Sequence, residues 1–260
     1  MAIVTTNRTR SASATAAVLG VLAAANVLNN RVARRCAPIT STVATGALLA
    51  LARREGLTWR ELGFDRARRG AIAGGALAGG VAVAYAIGIA HPRTRPLFLD
   101  ERALALSRRR VLEEALVQVP FGTVLLEEVG FRGVLPAVLG RRLPPRTAVA
   151  ASAALFGLWH VLPALDMARA NPALGRLASG ESTREPGVSA ETARLVAGTV
   201  LSTAAAGIFF HELRRRAGLL APSLLHLATN SLGYAAARVA RRIGKAGEIS
   251  RPAGAAAPPH

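Results

Sequence analysis

The stretch LLEEVGFRGVL, residues 125–135, sets two adjacent carboxylates and an arginine inside one of the most apolar regions of the chain. Its neighbours read as membrane helix, a setting in which an ionisable side chain is costly and defaults to a functional role. Glu128 and Arg132 stand four residues apart, so on a helix their side chains can pair on one face. Glu127 is offset by about 100° around the helix and is left to face something else.

The rest of the chain supports the membrane setting. Of its 260 residues, 51% are hydrophobic but only 4% are aromatic, with a mean hydropathy of +0.32. Ala, Gly, Leu and Val supply most of the apolar mass, and helices packed through small residues in lipid do not need bulky aromatics. The net charge of +18 raises the question of nucleic acid. The arginines, however, cluster in short segments between apolar runs: Arg31, Arg34 and Arg35, then Arg108, Arg109 and Arg110, then Arg214, Arg215 and Arg216. Basic loops beside spans suit anionic headgroups. With no zinc-finger spacing, RRM signature or aromatic stacking set beside them, nucleic acid is excluded as a partner. The single cysteine, Cys36, rules out an intrachain disulfide.

Apolar runs at 12–28, 39–51, 71–90, 111–139, 147–165, 194–210 and 219–239 predict an all-α, polytopic transmembrane bundle of seven to eight helices, with the site buried between core helices. Residues 1–110 form N-terminal spans and basic connectors, 111–240 a catalytic core of the same membrane domain, and 241–260 a disordered tail. Gly75 and Gly79, four apart, are expected to admit a neighbouring helix. Pro120 is expected to kink the long fourth run. Residues 56–70 read as a polar connector with Trp59 as an interface anchor, and 171–191 as the longest solvent loop. The basic residues divide too evenly between the two sides to set an orientation.

Two further polar sets lie on apolar runs. His160 closes FGLWH, one turn after Phe156, and His226 and Asn230 lie four apart in HLATN. Together with Glu127 these are the parts of a water-activating hydrolytic site: a carboxylate or imidazole to take the proton, a group to aim the water, and donors for the oxyanion. One carboxylate and two histidines also compose a catalytic zinc site, so no cofactor and a divalent metal such as zinc both stand. Blander readings exist for each set. Trp159 and His160 would suit an interfacial aromatic belt, and His226 with Asn230 would suit interhelical hydrogen bonding. Glu113 and Glu114 read as solvated residues favoured by the helix dipole. His211-Glu212 opens like a zincin motif, but position 215 is Arg, so the motif fails and both residues are expected to face a loop.

Glu127-Glu128-xxx-Arg132, Phe156-xxx-His160 and His226-xxx-Asn230, in that order on apolar helices, resemble the CPBP family of intramembrane proteases, the CAAX-prenyl-protease and bacteriocin-processing family also called Abi. The segment GLTWRELGF, residues 56–64, is similar to a connector of bacterial members. The resemblance implies an eight-helix bundle in which Glu127 and His160 hold and activate a water. His226 and Asn230 would stabilise the oxyanion, while Glu128 and Arg132 orient the helix or hold a substrate carboxylate. It implies an intramembrane endopeptidase with a metal-free glutamate mechanism, acting on a peptide or membrane-protein substrate in the bilayer of a bacterial plasma membrane. The alternative is a non-catalytic scaffold or immunity protein of the same fold.

Overall fold

The computed structural model of the chain describes residues 2–170 and 188–249, all-helical with no strand among them. Among the described residues, eight helices of ten or more residues build the bundle. They are α1 (Ala2–Val27), α2 (Ala37–Arg54), α4 (Ala67–Ala90), α6 (residues 108–139), α7 (Pro145–Trp159), α8 (Val161–Ala170), α9 (Val188–Ala217) and α10 (Leu220–Ile249). Two short helices, α3 (Trp59–Leu62) and α5 (Glu101–Ala105), lie in connectors. Five stretches among the described residues are long and apolar enough to cross a membrane: Ala12–Val32, Arg34–Arg54, Trp59–Ala90, Pro145–Ala170 and Ala190–Ala217. α6 and α10, which carry the polar motifs, complete the bundle without meeting that criterion.

α6 is the central element. Residues 126–136 are all buried, so this helix is enclosed on every side. Its backbone widens twice, with π-helical segments at Glu114–Val124 and Val129–Val134 around the α-helical turn Leu125–Glu128. The N–H of Leu125 reaches back to Pro120 O, and that of Leu135 to Gly130 O, five residues in each case. Pro120 thus sits within the first widened segment, where its missing N–H is taken up over several residues rather than at one kink. Widening leaves carbonyls open to outside donors. Serine hydroxyls from three surrounding helices fill them: Ser41 of α2 donates to Gly122 O at 2.6 Å, Ser152 of α7 to Phe131 O at 2.8 Å, and Ser231 of α10 to Ala115 O at 2.8 Å. Each bond satisfies a backbone group that water cannot reach in lipid.

α1 and α2 pack on α6 through Val18, Leu22 and Leu48, which share a core with Leu126, Val129, Phe131 and Phe156. The N-terminal helices therefore wall the same core as the motif helices. α4 lies outside and holds α10 along one seam. An added Cβ at Gly70 would come within 3.0 Å of Leu220 Cβ, and one at Gly74 within 2.9 Å of Ala221 O. The expected pair Gly75 and Gly79 faces open space instead, so the helix–helix approach uses the small-residue pair one position earlier in phase.

The segment expected as a polar connector is a folded clasp. Thr58 caps α3 in a reciprocal capping box with Glu61, while Leu57 and Leu62 are buried. Gly63 ends α3 at φ 92°, where its carbonyl accepts from Leu219 N–H at 2.8 Å. Trp59 is half exposed, with its ring edge-on to Phe64 and Arg53 above it.

Three other expectations change. Residues 241–249, assigned to a tail, continue α10, and residues 250–260 lie outside the described residues. His211 and Glu212 belong to α9, which runs on to Ala217, so His211 is part-buried rather than facing a loop. Glu113 and Glu114 are each paired with Arg110 one turn earlier rather than simply solvated. The expected loop at 171–191 falls mostly outside the described residues.

Candidate active site

The motif residues of α6, α7 and α10 converge in the core. Glu127, Glu128, Arg132 and His226 are all buried, and Glu128 and Arg132 are at or below 1% exposed. His160 is less deeply covered.

Glu128 and Arg132 pair as their spacing requires, with Arg132 Nε 3.5 Å from Glu128 Oε2. The other carboxylate oxygen, Oε1, lies 2.8 Å from His226 Nδ1. Glu128 therefore joins α6 to α10 and fixes the imidazole with Nε2 directed away from it. The Arg132 guanidinium lies 3.7 Å from the Phe156 ring centroid and 5.1 Å from that of Phe210. Its Nη1 and Nη2 have no hydrogen-bond partner among the described residues. Two ring faces and one carboxylate thus hold a buried cation.

Glu127 points the other way, as its angular offset demands. Its Oε1 accepts a hydrogen bond from Trp159 Nε1 at 2.8 Å. Its Oε2 has no hydrogen-bond partner among the described residues. That oxygen lies 3.9 Å from His160 Nε2 and 3.8 Å from His226 Nε2. These separations are too long for direct hydrogen bonds and suit a small molecule seated among the three atoms.

A break in the helix sets His160. It ends α7 at φ −85°, ψ 0°, and α8 begins at the next residue, so the single span expected over 147–165 is interrupted at the site. Pro163 supplies the reason. It has no N–H to give the carbonyl four residues back, which is that of Trp159. Asn26 Nδ2 from α1 donates to that carbonyl instead, at 2.9 Å. Arg31 and Arg34, just beyond α1, both pair with Asp166 on α8 at 3.0 Å and hold the interrupted segment against α1. His160 Nδ1 lies 2.8 Å from Phe156 O, and because a carbonyl only accepts, Nδ1 carries the proton. In the neutral ring Nε2 is then an acceptor.

Asn230 lies one turn beyond His226 on α10 and is half-buried, with no hydrogen bond to its side chain among the described residues. The sequence reading placed six of these residues but did not assign Trp159, Asn26 or Phe210 to the site. Trp159 is 8% exposed and inside the core, against the interfacial position weighed for it. The signal for Asn26 was Pro163, which frees the carbonyl that Asn26 takes. Phe210 carried no local signal, because only α9 packing brings its ring over Arg132.

No group of three or more His, Cys, Asp or Glu side chains among the described residues is arranged to hold a metal ion. The Glu127 to histidine separations of 3.9 and 3.8 Å also exceed the spacing of about 3.3 Å that bonds of roughly 2.0–2.1 Å give around tetrahedral zinc.

The chain is a polytopic helical bundle with membrane-length apolar helices, and buried carboxylates and histidines face one another in its core. Residues 114–232, from the first widened turn of α6 through the HLATN motif of α10, match the family model of the type II CAAX prenyl endopeptidases, Rce1-like. The match covers 119 of the 260 residues and takes in Glu127, Glu128, Arg132, Phe156, His160, His226 and Asn230, the motif positions that resemble the CPBP intramembrane proteases. No curated protein and no solved structure matches the chain.

Proposed function

We propose that the protein is an intramembrane glutamate endopeptidase in which Glu127 activates a water, without a metal, against a peptide bond of a peptide or membrane-protein substrate. The observation that carries the reading is the unpartnered Glu127 Oε2, 3.9 Å from His160 Nε2 and 3.8 Å from His226 Nε2. A water there donates one hydrogen to Glu127 Oε2 and the other to His160 Nε2, both acceptors, and its lone pair is left to attack. Trp159 keeps the carboxylate from rotating.

As the water oxygen bonds to the scissile carbonyl carbon, its proton passes to Glu127. The carbonyl oxygen becomes an oxyanion facing α10. His226, whose Nδ1–H is held by the Glu128 carboxylate, can carry a second proton at Nε2 and donate it there, and the Asn230 amide supplies another donor. Collapse of the tetrahedral intermediate breaks the C–N bond, and the proton on Glu127 moves to the departing amine. Glu128 and Arg132 act as positioning residues. The reading extends to the bacterial plasma membrane as location and to lipid as surrounding partner.

The test is cleavage of a peptide library by the purified, reconstituted protein. Glu127→Gln is expected to lower kcat by about a hundred- to ten-thousandfold, as loss of a general base does, with an unchanged melting temperature. Undiminished cleavage in that variant would remove Glu127 from the mechanism. Activity lost to a strong chelator and restored by zinc would replace the metal-free reading, and the absence of any Glu127-dependent cleavage would favour the scaffold alternative.

A further inference from the structure

Away from the catalytic residues, an open cleft of about 430 Å³ lies where α6 ends, α7 begins and α9 ends. Arg141, Arg214, His211 and Glu61 supply its polar lining, and Pro136 and Pro145 are among its apolar walls. The spans Pro145–Ala170 and Ala190–Ala217 start and finish here, which puts the cleft at the depth of lipid headgroups.

Its charges do not cancel. Glu61 is the acidic lining group, and one of its oxygens, Oε2, is committed to the cap of α3 at 2.7 Å from Thr58 N and 2.8 Å from Thr58 Oγ1. Its other oxygen faces Arg141 Nη2 at 3.6 Å, a loose pair on an arginine that is 48% exposed. Arg214 gives Nη2 to the Glu61 backbone carbonyl, and its buried Nε, packed beside Gly63, has no hydrogen-bond partner among the described residues. His211 Nδ1 is buried in the wall with no hydrogen-bond partner among the described residues. The 15-residue helix α7 starts at the rim with no side-chain cap, adding the partial positive charge of its N-terminus. Two guanidiniums against one carboxylate leave about one net positive charge, matching a phosphodiester monoanion, and guanidinium donors suit phosphate oxygens.

We propose that this cleft binds a phosphate group, that of an anionic phospholipid headgroup at the membrane surface or of a free phosphate. The assignment does not depend on the catalytic reading, and its test reads binding rather than cleavage.

The full-length protein is placed in phosphatidylcholine nanodiscs with increasing phosphatidylglycerol, and its melting temperature is followed. In a second arm, inorganic phosphate is added to the protein in pure phosphatidylcholine; in a third, oleate replaces phosphatidylglycerol. The wild type is expected to gain stability with phosphatidylglycerol, and Arg141→Gln to need roughly tenfold more lipid for the same gain, the loss of about one charged hydrogen-bonding partner. Arg141 is exposed and, among the described residues, holds only its pair to Glu61, so the variant folds. Arg109→Gln, which removes an exposed arginine at the opposite end of α6, should titrate like the wild type. A gain with inorganic phosphate would assign the site to the free anion, and a gain with phosphatidylglycerol alone to the headgroup. An equal gain with oleate, an unshifted Arg141→Gln, or an equal loss in Arg109→Gln would each overturn the proposal.

Discussion

α4 and α6 are both long and apolar, and they solve opposite problems. The most hydrophobic window of α4 is only 11% buried inside the protein, so most of its surface is left for lipid. α6 is enclosed from residue 126 to 136 and carries three charges there. α4 keeps regular helical hydrogen bonding and touches its neighbour along a glycine seam. α6 gives up regular geometry in two widened segments and has its carbonyls satisfied by serines from α2, α7 and α10. An element facing lipid must satisfy its own backbone, whereas one enclosed by protein can borrow donors. Between the widened segments, the regular turn Leu125–Glu128 sends Glu127 and Glu128 to different partners through the ordinary angular offset of adjacent helical residues.

The largest way to break this contrast, beyond the loss of Glu127 itself, is to remove the buried cation. Arg132→Ala leaves Glu128 balanced only by His226 and is expected to destabilise the protein by about 3–5 kcal/mol, the usual cost of orphaning a buried charge. Thermal melting in detergent would show it. A variant that melts like the wild type would mean that the aromatic and ionic contacts to Arg132 hold nothing.

Trp159→Phe keeps a buried ring but deletes the N–H that holds Glu127 Oε1. Its kcat should fall about 10- to 100-fold, as for other residues that orient a reacting group, with little change in KM. A change confined to KM would assign Trp159 to substrate binding.

The glycine seam offers a paired test on the lipid-facing helix. Gly74→Ala drives a methyl into the α10 backbone and should cost about 1–3 kcal/mol. Gly79→Ala meets open space and should stay within about 0.5 kcal/mol of the wild type. Equal melting temperatures in these two variants would show that the α4–α10 seam does not hold the bundle.

Ser152→Ala should have the smallest effect of the set inside the core. Removing the donor to Phe131 O costs about 1 kcal/mol and loosens the turn bearing Arg132. A loss of cleavage larger than the loss of stability would show that the widened turn serves catalysis as well as folding.

Much of this was legible in the sequence. The apolar runs announced a helical bundle, because apolar length is what the bilayer demands of a span. The spacing of Glu128 and Arg132 announced their pairing, because four residues close one helical turn. Gly75 and Gly79 misled, since spacing alone cannot say which phase of a glycine-rich helix meets a neighbour. The connector expected over 56–70 does join α2 to α4, with 67–70 already in α4, but its charged side chains hid the buried Leu57 and Leu62 between them.

The sequence by itself determined that the chain spans a membrane and which carboxylates and histidines stand at unusual positions. Those facts follow from hydropathy and helical period, which are local. Only the tertiary structure decided that Trp159 holds Glu127, that Asn26 takes the carbonyl Pro163 leaves open, and that Phe210 lies over Arg132. Each of these joins residues more than 30 positions apart, and such contacts are set by how the helices pack around α6.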